Sequence, residues 1–150
     1  MIQLLSETGF DPLFRPGMLL SNMAEGGASL GIAIKAKDKA IKSEALSVAV
    51  GCIFASVTEP AIYGFNLQDN FMQNDKGEWE VAWTSDLAIG GVVAALLGAH
   101  NYEYGSSSLF ALPIFEDTIV AMVIAIIVTI VASCVLTILF GFDEEILKKH

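Results

Sequence analysis

Glu59 stands between two charge-free stretches, 45–57 (ALSVAVGCIFASV) and 61–66 (AIYGFN), with Thr58 before it and Pro60 after it. A charge at membrane depth costs at least ~2.5–3.5 kcal/mol on insertion scales, so an acid in such surroundings is expected to be functional. A carboxylate there can accept hydrogen bonds from sugar hydroxyls, hold a proton or cation, or pair with Arg or Lys. Pro60 lacks a backbone donor and disfavours helix just before it, so the chain should break at Thr58-Glu59. Asn22 and Glu25, three residues apart, share one helix face. They can line a common cavity, or satisfy a hydroxyl or backbone carbonyl nearby. Tyr63, Trp79 and Trp83 can stack on a sugar ring, although aromatic residues at membrane interfaces more often serve as anchors.

Other reactive residue types carry less chemistry. His100 ends a short apolar run and reads as an interfacial residue. Cys52 and Cys134 lie inside apolar runs with no CxxC spacing and no adjacent His, which makes them small buried residues rather than a disulfide or zinc site. Gly26 and Gly31 have GxxxxG spacing, but Ile32 follows where a phosphate-cradling loop needs Lys. The sequence shows no HExxH, no Ser-His-Asp pattern and no clustered metal ligands. No catalytic residue, metal or cofactor is expected within it.

These groups need an apolar frame, and the composition supplies one. Of 150 residues, 54% are hydrophobic and 17% charged, below the roughly one quarter of a soluble domain. Mean hydropathy is +0.60. A net charge of −9 argues against a nucleic-acid surface. The first ten residues lack a basic region and a long apolar run, so no secretory signal peptide is expected.

Residues 118–142 form the strongest segment, without a charge between Asp117 and Asp143. As a helix it is about 37 Å long, enough to cross a ~30 Å hydrocarbon core. Ala121, Ala125, Thr129, Ser133, Thr137 and Gly141 recur at four-residue spacing. Such a ridge of small residues lets another helix approach closely, so this helix expects protein neighbours. Residues 12–34 are long enough to span but contain Arg15, Asn22 and Glu25. Segment 45–57 is about 20 Å long as a helix, too short to cross alone, and 88–100 is also short. Interrupted apolar segments of this kind mark broken or re-entrant helices in transporters. We therefore expect an all-α, multi-pass membrane protein with spans near 12–34, 87–101 and 118–142 and a re-entrant hairpin over 45–66, its tip at 58–60.

Basic residues orient these elements. Lys35, Lys37, Lys39 and Lys42 follow the first span and belong on the cytoplasmic side. If 45–66 is re-entrant, Lys76, Lys148 and Lys149 join them, leaving Arg15 alone outside. A full crossing instead gives four basic residues on each side, so the charge rule favours re-entry.

The stretches SNMAEGGASLGIAIKAKDKAIKSEALSVAVG (21–51), SVTEPAIYGFNL (56–67), GGVVAALLGAHNYEYGSSSLFALP (90–113) and GFDEE (141–145) resemble the membrane IIC component of bacterial phosphoenolpyruvate-dependent sugar phosphotransferase systems, nearest the β-glucoside/sucrose/trehalose group. The resemblance implies a translocator that presents sugar to a IIB domain or subunit, whose phosphocysteine donates the phosphoryl group. It also implies that Glu59 binds sugar hydroxyls, with Thr58 and Pro60 shaping the hairpin tip, and that the chain lies in the cell membrane. Asn22, Glu25 and Tyr63 are further substrate-binding candidates.

The family carries a longer IIC, with an oligomerisation half and a sugar-site histidine upstream of TEP, whereas only 58 residues precede Glu59 here, none of them His. Residues 68–86 replace a shorter, more basic stretch, and Glu25 stands where Gln is common. The expectation is a C-terminal third of the transporter: a split subunit, a truncated product or a mispredicted start. Its partners would be the sugar, IIB, the missing N-terminal IIC half and the bilayer. A non-transporting membrane remnant or accessory subunit is the alternative.

Overall fold

The computed structural model describes residues 2–62, 82–103 and 105–140, and among them all regular structure is helical. The helices are α1 (Ile2–Thr8), α2 (Phe14–Lys35), α3 (Lys39–Val50), α4 (Ala82–Leu96) and α5 (Ile119–Phe140). A wider π-helical turn, Gly51–Ala55, continues α3, and a 3₁₀ segment, Leu109–Thr118, leads into α5. One backbone bridge joins Asp11 to Asn101.

The start of α2 is set by Asp11. Its carboxylate accepts the backbone N–H groups of Leu13 (2.9 Å), Phe14 (2.8 Å) and Arg15 (3.0 Å), donors that a first helical turn otherwise leaves without partners. The Asp11 side chain is fully buried. Asp11→Ala strands these donors and should cost about 2 kcal/mol, the upper end for a cap, measured as a lower thermal unfolding midpoint in detergent micelles.

Helices α2 and α5 run parallel. A Cβ placed on Gly27 would lie 2.7 Å from the Ile130 carbonyl oxygen, and one on Gly31 would lie 2.8 Å from the Thr137 Cβ. Four residues beyond Gly31, Lys35 Nζ donates to the Ile138 carbonyl (2.7 Å) near the end of α5, where a cation complements the helix dipole. Helix α4 is antiparallel to α5: Gly90 abuts Thr129, and the segment after α4 reaches the start of α5, where His100 N–H donates to the Thr118 hydroxyl (3.2 Å). Gly98, at φ +70°, ends α4, with the Ala99 N–H bonded to the Ala94 carbonyl. Helix α4 thus begins and ends earlier than the sequence pattern suggests.

The ridge on α5 packs as its spacing predicts. Ala125, Thr129, Ser133 and Thr137 are fully buried, and Ser133 donates across the interface to the Ala24 carbonyl; Gly141 lies outside the described residues. Val120, Ile127, Val131 and Leu139 on the other side of α5 are exposed. The helical run Leu109–Phe140, kinked at Glu116 (φ 41°), is long and apolar enough to cross a membrane.

Helix α3 folds back along the last turns of α2, and Ile41 and Ala45 pack with Ile32, Ala33 and Ala36. At its far end the side chains of Cys52 and Ile53 close on Gly26, halfway along α2. There the helix stops. Ser56 takes a left-handed conformation (φ 57°, ψ 29°), and Val57 N–H returns to the Gly51 carbonyl (3.2 Å). A new turn opens at once, with Ile62 N–H bonded to the Thr58 carbonyl (2.9 Å), and tolerates Pro60 because first-turn residues need no i−4 donor.

Candidate site at the helix break

Glu25 sits near the midpoint of α2 and is 5% exposed. Ser21, one turn earlier, donates a hydrogen bond to its carboxyl group. Its Oε2 is buried without a hydrogen-bond partner. Glu59, from the break after α3, lies within electrostatic reach of Glu25, and both acids act on the Cys52 thiol. The Cys52 and Ile53 side chains at the end of α3 close on Gly26, next to Glu25, so the break that carries Glu59 lies on the mid-length of α2.

Burial is distributed differently from the expectation that Glu59 is the enclosed acid. Glu59 is exposed and Thr58 half-buried, while Glu25 is buried. The reason is packing: α2 is covered by α3, α4 and α5, whereas Glu59 follows the point at which the α3 limb ends. The return limb of the expected hairpin, with Tyr63, and also Lys76 and Trp79, lies outside the described residues; Trp83 falls at the start of α4.

Asn22 is on the same helix face as Glu25 but uses its amide nitrogen on the Ser107 carbonyl (2.8 Å). Arg15 reaches the same residue, donating to the Ser107 hydroxyl (2.9 Å). Both anchor the 105–108 loop to α2. Two site neighbours are new. Ser21 could be found from its four-residue spacing to Glu25. Ser56, whose Oγ is buried without a partner, could be found only from the left-handed turn it occupies.

A second polar cluster lies at the opposite end of α4. His100 pairs through Nε2 with the Tyr102 hydroxyl (2.8 Å) and through Nδ1 with the Gly98 carbonyl (2.7 Å). The Tyr102 hydroxyl donates to Asp117 (3.0 Å), and that bond is the main cause that raises the phenol above its ordinary value. The protonated phenol is the bonded form, so this tie holds below the ordinary tyrosine range and is lost as pH rises through the raised value. Tyrosinate absorbance should develop at lower pH in Asp117→Asn than in the wild type; coincident curves would remove the Asp117 contact. These bonds tie the segment after α4 to the start of α5.

No protein-family model and no solved structure matches the chain significantly. Two curated proteins do. The "PTS system arbutin-, cellobiose-, and salicin-specific EIIBC component" of Escherichia coli (strain K12) is 29% identical over 149 residues, which is 96% of this chain and 29% of that protein. The "PTS system beta-glucoside-specific EIIBCA component" of Bacillus subtilis (strain 168) is 29% identical over 146 residues, again 96% of this chain and 22% of the relative. The resemblance carried by stretches between residues 21 and 145 thus covers nearly the whole chain, which is similar to β-glucoside-type components of the phosphotransferase system and spans less than a third of either relative's length.

Proposed function

We propose that the chain is the sugar-contacting, C-terminal portion of the membrane IIC component of a phosphotransferase system, taking a β-glucoside or a related disaccharide. Arbutin and salicin are aryl β-glucosides and cellobiose is a β-linked disaccharide, so the names of the two relatives share one sugar linkage. A glucose ring in β-linkage presents equatorial hydroxyls, which suit a carboxylate acceptor. Glu59 fills that role, Thr58 shapes the tip beside it, and Glu25, Asn22 and Tyr63 form the wall. Phosphoryl transfer belongs to a IIB partner, and the remaining IIC half completes the translocation path.

The observation that carries this reading is the position of the break. Helix α3 stops beside Gly26, midway along α2, and delivers Glu59 to the neighbourhood of Glu25. Half-helices that end at mid-depth and expose irregular backbone to a protected cavity are a recurrent means of building substrate sites in transporters. Helix direction supports the same topology. With α2 and α5 parallel and α4 opposed to them, the segment between α2 and α4 leaves and returns at one end of the bundle, as a re-entrant hairpin would.

The test is equilibrium binding of a radiolabelled β-glucoside to a complete transporter containing this segment, wild type against Glu59→Gln. The substitution should abolish measurable binding, and unchanged affinity removes Glu59 from the site.

A further inference from the structure

In a chain of net charge −9, Lys35, Lys37, Lys39 and Lys42 supply four of the eight basic residues within eight positions. All four side chains are exposed, at the corner where α2 ends and α3 begins. Two acids lie beside them, Glu44 and Asp38, and the Asp38 carboxylate caps α3 by accepting the Ala40 N–H (2.8 Å). The corner therefore keeps a net positive charge. Helix stability does not call for it: Lys39 and Lys42 stand in the first turn of α3, where the helix dipole favours acids, and that turn contains none.

The depth of this corner is set by a bond across the bundle. Lys35 Nζ donates to the Ile138 carbonyl (2.7 Å), which places the corner level with the last turn of α5, just before the apolar run ends at Asp143. That is the height at which a spanning helix passes from hydrocarbon to headgroups. From there α3 descends along α2 until Cys52 and Ile53 meet Gly26, midway along it. Its inner face buries Ile41, Ala45 and Ala49. On its outer face Leu46, Val50 and Phe54, each about half exposed, continue the line of Lys39 and Lys42 at helical spacing. From Lys42 to Phe54 this line is about 18 Å long, close to the ~15 Å half-thickness of a hydrocarbon core.

We propose that this face binds an anionic phospholipid of the adjoining leaflet, with its phosphate at Lys39 and Lys42 and an acyl chain along Leu46, Val50 and Phe54. An acidic protein surface would match the lysines but not the apolar line below them, and a zwitterionic lipid would match the apolar line but not the excess positive charge. None of these residues belongs to the sugar site, so loss of either reading leaves the other intact.

Native mass spectrometry of the full chain in a neutral detergent, titrated with dioleoyl-phosphatidylglycerol or dioleoyl-phosphatidylcholine, reads the lipid-bound fraction directly. Phosphatidylglycerol should bind saturably and on the order of 25-fold more tightly, about fivefold for each lysine. Lys39→Gln/Lys42→Gln should remove this preference, and Lys39→Arg/Lys42→Arg, which keeps the charge, should retain it. Lys148→Gln/Lys149→Gln lowers the net charge equally at another place and should also retain it. Glycerophosphoglycerol, the headgroup without its chains, should not compete. Equal binding of the two lipids by the wild type, a preference that survives Lys39→Gln/Lys42→Gln or is lost equally in Lys148→Gln/Lys149→Gln, or competition by the chain-free headgroup overturns the proposal.

Discussion

Gly27→Ala should destabilise the chain by on the order of 3 kcal/mol, the upper end for an overpacked interior site, while Gly91→Ala on α4 should be neutral or stabilising. The difference lies in what the added methyl meets. At position 27 it would lie 2.7 Å from the Ile130 carbonyl oxygen and 2.8 Å from the Ser133 Cβ. Both are fixed to the α5 backbone, so rotating a side chain gives no relief and the two helices must separate. At position 91 nothing lies within 4 Å, and alanine gains the ~1 kcal/mol of helix propensity that glycine lacks.

Separation at Gly27 has consequences beyond the local clash. It would stretch the Ser133–Ala24 hydrogen bond and loosen Gly31 from Thr137, the contacts on which α2 and α5 depend in a solvent without hydrophobic drive. Thermal unfolding in detergent micelles, with both variants measured against wild type, gives the comparison. Equal midpoints for Gly27→Ala and Gly91→Ala would mean that α2 and α5 do not meet along this ridge.

Glu59→Gln is the second large effect, and it should fall on sugar binding rather than on folding. The side chain is exposed and sits after the α3 break, so its replacement by a neutral isostere leaves the packing of α2, α4 and α5 intact. A hydrogen bond to a charged acceptor contributes about 1.5–3 kcal/mol. Each 1.4 kcal/mol is tenfold in affinity, so loss of one or two such bonds weakens binding about a hundredfold or more and carries a millimolar-range sugar out of detection. The unfolding midpoint should stay within about 1 °C of wild type, roughly the effect expected of a surface change. Loss of binding together with a collapsed midpoint would assign Glu59 to the fold instead.

Much of this architecture is legible along the chain. Helix α5 follows from 25 uncharged residues, 118–142, and its packing face follows from the four-residue recurrence of small side chains, because in a membrane close approach rather than hydrophobicity decides which face meets protein. Pro60 leads the sequence to expect a break at Thr58-Glu59; the structure puts it two residues earlier, at the left-handed Ser56, and Glu59 and Pro60 belong to the turn that opens after it. The spacing of Asn22 and Glu25 places them on one face, as found.

What periodicity cannot supply is the partner across the bundle. Local pattern marks Glu59 and Glu25 alike as acids in apolar surroundings, but only the return of α3 along α2 makes Glu25 the buried one and leaves Glu59 at the open end. The bond from Asn22 to Ser107, 85 residues away, and the bridge between Asp11 and Asn101 are likewise unreadable from spacing. They depend on which ends of α2 and α4 come together. Backbone preference and side-chain period are properties of short stretches of chain, and they marked the helices and the neighbourhood of the break but not its position at Ser56. Burial, and the return of the α3 end to the middle of α2 beside Glu25, are properties of how those helices pack, and the tertiary structure alone decided them.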